Sequence, residues 1–190
     1  MRTPATARTL DLEAWAQPAD EEDLMLLSLC EGPTLDIGCG PGRLTAALAE
    51  HGHVVLGIDV VEDAVRRTRR RGGAALQRDV FDDLPGEGRW RTALLADGNV
   101  GIGGDPVALL RRVRTLLDPR GRVVVEVDPR ERGVRHGWAV LVSRGETGAP
   151  FRWSVVGIDA IGRIAARAGL AVAATYEHGH RRGAVLEEAR

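Results

Sequence analysis

The 190-residue chain contains no lysine, so all 26 of its Lys and Arg positions are arginine. This absence excludes mechanisms that need a lysine Schiff base or a lysine general base. Cysteine is also scarce. Two thiols, Cys30 and Cys39, cannot make a disulfide framework, and their spacing is not that of a metal site. We therefore expect no bound metal and a reducing compartment.

Long apolar runs and a strong net charge are absent as well. The first twenty residues lack the apolar core of a signal peptide, and no run approaches the roughly 20 apolar residues of a membrane span. The net charge of -1 gives no global field that would attract nucleic acid or an anionic membrane. We expect a cytoplasmic protein without a membrane or nucleic-acid partner; the oligomeric state stays open.

One arginine-rich run, RRTRRR at 66–71, raises a nucleic-acid alternative. On a helix, Arg66, Arg67 and Arg70 would share the outer face while Val65 faces inward. That pattern is typical of a solvated helix surface, and no RNA-binding module or stacking platform accompanies it. We interpret the run as ordinary surface.

Strand-like and helix-like stretches alternate along the chain. Apolar runs predict five strands, at residues 34–37, 54–59, 74–79, 92–97 and 122–128. Helical patterns are found at residues 20–29, 43–50, 62–71, 105–117 and 159–168, the first of them expected to lie outside the core. This alternation predicts a parallel sheet with helices on both faces and right-handed crossovers.

The pattern changes after residue 128. Residues 138–144 and 151–157 could form a hairpin or an extended excursion over the sheet, whereas 171–177 and 183–189 predict an antiparallel pair at the sheet edge. The expected fold is a doubly wound α/β domain with a mostly parallel seven-stranded sheet and an antiparallel edge strand. We expect a single domain with three parts: a helical cap (1–32), a cofactor-binding core (33–128), and a substrate-side segment with the sheet edge (129–190).

The stretch TLDIGCGPGRLT, residues 34–45, places glycines between a strand and a helix. Such turns hold nucleotide cofactors on backbone N–H groups at the carboxyl ends of strands. The dinucleotide pattern GxGxxG fails here, because Arg43 occupies the third glycine position. Asp36 would repel a pyrophosphate and attract an ammonium group. S-adenosylmethionine carries an ammonium and a sulfonium and no phosphate, so it fits this turn better than NAD.

Two further acids end the next two predicted strands. Asp59 lies 21 residues after Gly38, where a carboxylate can accept hydrogen bonds from both ribose hydroxyls. Asp79 is followed by Val80 and Phe81, a combination that suits the amine and the ring of an adenine. Acids at the ends of successive strands predict a binding site for a whole adenosine group.

The motifs LDIGCGPG, LGIDVVEDAV, LQRDVFDDLP and TALLAD resemble, in this order, those of class I (Rossmann-like) S-adenosylmethionine-dependent methyltransferases. The resemblance covers residues 33–128 by motif and extends to the C-terminus by topology. It implies the cofactor S-adenosyl-L-methionine. Its methionine portion would contact Asp36, Gly38, Gly40 and Gly42, its ribose Asp59, and its adenine Asp79 and Val80, with Asp97 near the methyl group and sulfonium. Val60 is a further expected cofactor-binding residue.

The acceptor is less defined. Family members that methylate amino groups of nucleic acids and proteins often carry Asn or Asp, then Pro-Pro and an aromatic, after the fourth strand. This chain has DGNV at 97–100 instead. We therefore predict a small-molecule acceptor, with O-, N- and C-methylation all open. Asp97 and Asn99 are candidates beside the reacting methyl group. His136 is the candidate general base, because neutral imidazole accepts a proton near pH 7; a surface histidine is the alternative.

Aromatic residues make up only 4% of the chain, and four of them are candidates for the wall of an acceptor pocket: Trp15, Trp138, Phe151 and Trp153. Alternative functions are a non-catalytic protein that binds S-adenosylmethionine or a partner, an NAD-dependent oxidoreductase and a nucleic-acid methyltransferase. The first stays open because the sequence identifies no certain base. Asp36 and Arg43 argue against NAD.

Overall fold

The computed structural model describes residues 7–143 and 145–189. Residues 1–6 of the expected cap and Arg144, at the end of one predicted hairpin strand, lie outside the described residues. The strands are β1 (Arg8–Asp11), β2 (Thr34–Ile37), β3 (Val55–Asp59), β4 (Ala75–Gln77), β5 (Trp90–Leu95), β6 (Leu117–Val127), β7 (Val134–Ser143), β8 (Glu146–Thr147), β9 (Phe151–Val156), β10 (Leu170–His178) and β11 (Arg181–Glu188).

Helices separate most of these strands. They are α1 (Glu21–Leu27), α2 (Arg43–Glu50), α3 (Glu62–Arg70), α4 (Pro106–Leu116) and α5 (Ile158–Arg167), with 3-10 turns at Leu12–Trp15 and Asn99–Gly101. Helix α4 begins as its sequence predicts: Asp105 accepts hydrogen bonds from the backbone N–H groups of Val107 and Ala108, both at 3.0 Å. Within the described residues, no helix is long and apolar enough to cross a membrane.

The central sheet has seven strands in the order β10-β11-β6-β5-β2-β3-β4. Strands β2 to β6 pair in parallel, and β11 is antiparallel to both β6 and β10. The predicted fold class, including the antiparallel edge, is therefore confirmed. Strand β4 is shorter than the strand predicted at 74–79, and β6 begins at Leu117, earlier than the predicted residue 122.

Helices cover both faces of this sheet because its central strands are apolar on both sides. On β5, Ala93 and Leu95 pack with the buried residues of α4 and α5, whereas Leu94 packs with those of α1 and α2. Helix α1 was expected to lie outside the core, and that expectation is wrong. Its Leu26 and Leu27 are 2% and 5% exposed and belong to the second cluster.

A second, smaller sheet lies beside the first. Strand β7 pairs antiparallel with β8 and β9, which settles the two alternatives for this region in favour of the hairpin. The other edge of β7 pairs in parallel with β1. The sequence did not predict β1, because the segment that contains it was expected to be helical. This sheet places residues of the N-terminal segment and of the segment 134–156 beside the carboxyl ends of the central strands.

Candidate functional site

The glycine-rich turn after β2 is fixed to the end of β3. The backbone N–H groups of Gly38 and Cys39 both donate to the carbonyl oxygen of Ile58, at 2.8 and 3.0 Å. Gly38 and Gly40 have φ angles of +74° and +54°, a region that strongly favours glycine. An added Cβ at Gly40 would meet no atom within 4 Å, so this part of the turn faces open space.

That space belongs to a cavity of about 340 Å³, within the usual range for ligand pockets. Residues that follow four neighbouring strands meet around it. The sequence-predicted site residues that line it are Asp36, Gly38, Gly40, Asp59, Val60, Asp79, Val80, Asp97 and Asn99. The structure thus brings most of the candidate residues together, and leaves out Gly42 and His136.

Asp36 places a buried carboxylate at the base of the cavity. It is 2% exposed and accepts a hydrogen bond of 2.6 Å from the Thr45 hydroxyl. Burial raises its pKa to about 6, although this hydrogen bond acts in the opposite direction. A cationic ligand group would stabilise the ionised form, so the site favours cations over phosphates.

Asp59 is held rigidly by the two turns beside it. Its Oδ2 accepts from the N–H of Gly40 at 2.9 Å, and its Oδ1 accepts from the N–H of Val61 at 2.8 Å. Burial raises its pKa, and the backbone hydrogen bonds partly oppose that shift. Both oxygens keep further lone pairs, so the carboxylate can accept from two adjacent hydroxyl groups.

Asp79 and Val80 form another part of the wall. The Asp79 Oδ1 accepts from the N–H of Phe81 at 3.0 Å, which fixes the local turn. Val80 is 4% exposed and packs in the main core, whereas Phe81 is 46% exposed. An acid beside apolar side chains suits a planar ring that carries an amine.

Asn99 connects the 3-10 turn after β5 to the glycine-rich turn. Its Nδ2 donates to the carbonyl oxygens of Ile37 and Gly38, at 2.9 and 3.0 Å. A Cβ at position 38 would lie only 2.7 Å from this nitrogen, so Gly38 is required for the close approach. Asn99 therefore positions the glycine-rich turn.

Asp97 belongs to a buried ionic network that sequence reasoning missed. The guanidinium of Arg43 donates to both carboxylate oxygens of Asp97, and its Nε lies 3.2 Å from Asp23. Arg181 contacts Asp23, Glu126 at 2.6 Å and Asp97 at 3.6 Å. Burial raises the pKa of Asp23 and of Glu126, while the two arginines oppose the shift. The only signal in the sequence was Arg43 itself, in place of a glycine.

Gly42 has a packing role. It precedes α2 with φ at +83°, and an added Cβ would lie 2.5 Å from the Thr68 side chain on α3. The glycine therefore allows two helices to approach each other and does not line the cavity. Its predicted contact with the methionine portion has no support in this geometry.

His136 lies on the exposed surface of β7. Its Nδ1 is 2.9 Å from the carbonyl oxygen of Gly104 and 2.8 Å from the hydroxyl of Ser154. The residue does not line the cavity. Because a general base must reach the acceptor's proton, the position of His136 does not support that role.

The remaining wall is mainly apolar and comes from the second sheet and nearby loops. Its side chains are Leu10, Leu12, Trp15, Phe81, Ile102, Leu141, Phe151 and Arg152. Of the four aromatic candidates, Trp15 and Phe151 line the cavity. Trp153 is buried in the small core behind it, and the Trp138 ring lies 4.3 Å from the Arg152 guanidinium carbon.

The arginine run contains one clear departure from the expected solvated surface. Arg67 is only 17% exposed and pairs with Glu13 and Asp63, at 2.7 and 2.8 Å. Arg66, by contrast, is 44% exposed and pairs with Asp63 on its own helix.

Comparison with known proteins agrees with this geometry. Residues 34–121 match the methyltransferase domain family. A curated relative, an uncharacterized protein of Mycobacterium tuberculosis, is 31% identical over 123 residues, which cover 65% of this chain and 41% of that protein. The curated relatives that the chain matches are longer: the matched parts span 21% to 41% of their lengths.

Two solved structures share the fold across most of the chain. One is an S-adenosylmethionine-dependent methyltransferase from Bacteroides fragilis bound to S-adenosylhomocysteine, with a TM-score of 0.76, 23% identity, and coverage of 90% of this chain and 78% of that one. The other is the 1,6-didemethyltoxoflavin-N1-methyltransferase of Burkholderia thailandensis, with a TM-score of 0.69, 21% identity, and coverage of 94% and 82%. At such identities the likeness establishes the fold.

Proposed function

We propose that this chain, which matches the methyltransferase domain family over residues 34–121 and shares the fold of solved methyltransferases, transfers a methyl group from S-adenosylmethionine to a small-molecule acceptor. One observation carries the proposal. A buried carboxylate, Asp36, lies under an open glycine turn, and the fixed acid Asp59 lines the same cavity. This set suits a cationic amino-acid portion joined to a ribose.

Each wall of the cavity fits one part of that cofactor. Asp36 would attract its positive charges, and the backbone at Gly40 would allow its close approach. Asp59 would accept hydrogen bonds from the ribose hydroxyls, while Asp79 and the apolar side chains beside it would receive the adenine. When bound, the cofactor supplies an electrophilic methyl group on a sulfonium.

Asp97 acts mainly by holding the backbone after β5 in place, and less by its own negative charge. Both of its carboxylate oxygens are occupied by Arg43, so its negative charge is largely balanced. With Asn99 it fixes the backbone after β5 against the glycine turn. Orientation of the two reactants supplies much of the rate of an in-line displacement, so this rigidity favours transfer.

The apolar wall supports a small acceptor with an apolar surface. Two structural neighbours are named as methyltransferases of 1,6-didemethyltoxoflavin and of a glycopeptide, and the first was crystallised with 1,6-didemethyltoxoflavin. Those names describe the neighbours, and they guide the choice of acceptors to screen here.

The described residues that line the cavity include no histidine or thiolate that could remove a proton from the acceptor. Burial keeps the Cys39 thiol protonated by raising its pKa. We infer that the acceptor's nucleophile is already deprotonated, or loses its proton to water. Neutral amines and acidic hydroxyl or ring N–H groups meet this condition.

Calorimetric titration with S-adenosylhomocysteine, and with NAD in parallel, tests the cofactor. We expect micromolar binding of the first and none of the second; binding of NAD alone would overturn the proposal. An acceptor screen with methyl-labelled S-adenosylmethionine then tests transfer. Label in an apolar small molecule supports the proposal, and label found only in nucleic acid or protein contradicts the small-molecule assignment.

A further inference from the structure

A short segment near the N-terminus covers part of the cavity. We call residues Arg8–Trp15 the strap; it comprises β1 and the 3-10 turn that follows. Leu10, Leu12 and Trp15 line the cavity from this segment, and the first two are 7% and 2% exposed. The strap therefore contributes wall that no residue of the central sheet provides.

Backbone pairing holds only one end of the strap. Strand β1 pairs with β7 over four residues, from Arg8 opposite Ala139 to Asp11 opposite Val142. The 3-10 turn lies beyond that pairing. Pairing over so few residues at a sheet edge opens locally at low cost, so further contacts are needed to keep Leu12 and Trp15 in place.

Leu10 and Trp15 pack in the core of the second sheet, and Arg8 pairs with Asp128. The arginine run on α3 supplies further polar contacts to the strap. Arg67 donates through both terminal nitrogens to the two carboxylate oxygens of Glu13, at 2.9 and 2.7 Å. Arg71 donates to the backbone carbonyls of Ala16 and Gln17, just past the strap. Bidentate pairing fixes geometry as well as charge, which a lysine would not do.

The other arginines of the run have different partners. Arg66 pairs with Asp63 within α3, and Arg69 donates through Nε to the carbonyl of Ala75. Arg66 and Arg69 thus serve α3 and its neighbouring strand, whereas Arg67 reaches the strap and Arg71 reaches the two residues that follow it. Arg66 provides a matched control, because it shares Asp63 with Arg67 but does not contact the strap in the described structure.

We propose that Arg67 and Arg71 are positioning residues that hold the strap closed over the cavity, so that cofactor exchange requires release of the strap. The identity of the ligand rests on the proposed function; the closure itself does not. Release removes Leu12 and Trp15 from the wall and exposes the occupant. The two arginines thereby set how long the cofactor stays bound.

Hydrogen exchange without ligand tests the closure. Mass spectrometry would follow the backbone amides of residues 8–17 in the wild type and in the R67M, R67M/R71M and R66M variants. We expect exchange about fivefold faster in R67M, the scale of losing one good ion pair, and a larger effect in the double variant. R66M should match the wild type, as should residues 34–59 in every variant. Unchanged exchange in the double variant would overturn the proposal.

Stopped-flow dissociation of S-adenosylhomocysteine tests the consequence. We expect the dissociation rate to rise about fivefold in R67M and to stay at the wild-type value in R66M. The rate in R67K should lie between those of the wild type and R67M. Faster exchange of the strap without faster dissociation would contradict its control of cofactor release. If the wild type binds no S-adenosylhomocysteine, the proposed function fails, while hydrogen exchange still decides whether the two arginines hold the strap.

Discussion

The Arg43 guanidinium donates to both carboxylate oxygens of Asp97, with N–O distances between 2.8 and 3.1 Å. This pair connects the helix after the glycine turn to the backbone after β5. Asp97 has a φ angle of +53°, an uncommon value for a residue other than glycine, and the ion pair helps to hold it there. Two walls of the cavity are thereby fixed to each other.

Replacement of Arg43 by methionine should therefore destabilise the fold. The change leaves Asp97 and the 2% exposed side chain of Asp23 without one of their cations, and breaking a buried network typically costs about 3 kcal/mol or more. Urea unfolding would measure the loss. Arg89→Met, at an exposed position, is the control. Equal stability of the two variants would mean that the network contributes little.

Replacement of Asp59 by alanine should weaken binding of S-adenosylhomocysteine about tenfold to a hundredfold, the scale of one or two charge-assisted hydrogen bonds. Titration calorimetry would measure the affinity, and circular dichroism would check the fold. Asp83→Ala, an exposed change nearby, should bind normally. Wild-type affinity in folded Asp59→Ala would remove this residue from the ribose site.

The raised pKa of Asp36 predicts a pH-dependent stability. Because this pKa is about 6 in the folded protein, the folded state holds a proton that the unfolded state has already released. The associated stability is present below the ordinary aspartate range and is lost as the pH rises to about 6. The shift of about two units corresponds to about 3 kcal/mol.

Urea unfolding between pH 4 and 7 would reveal this dependence as a difference between the wild type and Asp36→Asn. The asparagine variant should show a weaker decline with rising pH, although Asp59, Asp23 and Glu126 contribute in the same direction in both proteins. Parallel profiles for the two proteins would contradict the assignment to Asp36.

The affinity for the ligand should rise with pH, whereas the stability that Asp36 contributes falls with pH. Below about pH 6 Asp36 becomes protonated and loses its attraction for the cofactor's ammonium group. We expect the affinity for S-adenosylhomocysteine to fall by up to tenfold per pH unit below that point. Calorimetry at pH 5, 6 and 7 would measure it, with Asp36→Asn expected to bind weakly and with little pH dependence.

Loss of the Asn99 side chain should loosen the glycine turn. Asn99→Ala removes the hydrogen bonds to the carbonyl oxygens of Ile37 and Gly38, which typically contribute about 1 kcal/mol each. We expect a several-fold loss of affinity for S-adenosylhomocysteine together with a modest loss of stability. A variant with unchanged affinity would show that the turn keeps its shape without this residue.

Gly42 should matter for folding and not for binding. Gly42→Ala introduces a Cβ 2.5 Å from Thr68 at a backbone position with φ at +83°, so a loss of about 2 kcal/mol or more is expected. The folded fraction should bind S-adenosylhomocysteine with wild-type affinity. A large loss of affinity at normal stability would return Gly42 to the cofactor site, as the sequence resemblance implies.

The meeting of the three acids around one cavity could be predicted from sequence because its signals are local. Asp36, Asp59 and Asp79 lie in or just after short strands, near their carboxyl ends, and the carboxyl ends of parallel strands meet at one edge of the sheet. The order of strands and turns was therefore enough to bring these acids together. The same reasoning included Gly42, because it cannot separate a glycine that faces a ligand from one that faces another helix.

The ionic network and the strap could not be predicted in this way. Arg181 and Asp23 are 158 residues apart, and no local pattern pairs them. The four residues of β1 show no apolar–polar alternation that would mark a strand. Their extended conformation depends on pairing with β7, more than a hundred residues later in the sequence. His136 could not be placed from sequence either: imidazole chemistry suggested a base, but only the fold shows that the residue does not line the cavity.

The pairing of β1 with β7 also has a consequence for folding. The strap precedes the central sheet in the sequence, yet its partner strand begins only at Val134. Contacts between such distant segments form late, because a long loop must close before they contribute. The central sheet can be ordered through β6 before the strap has a partner, so the cavity gains this wall only at the end of assembly.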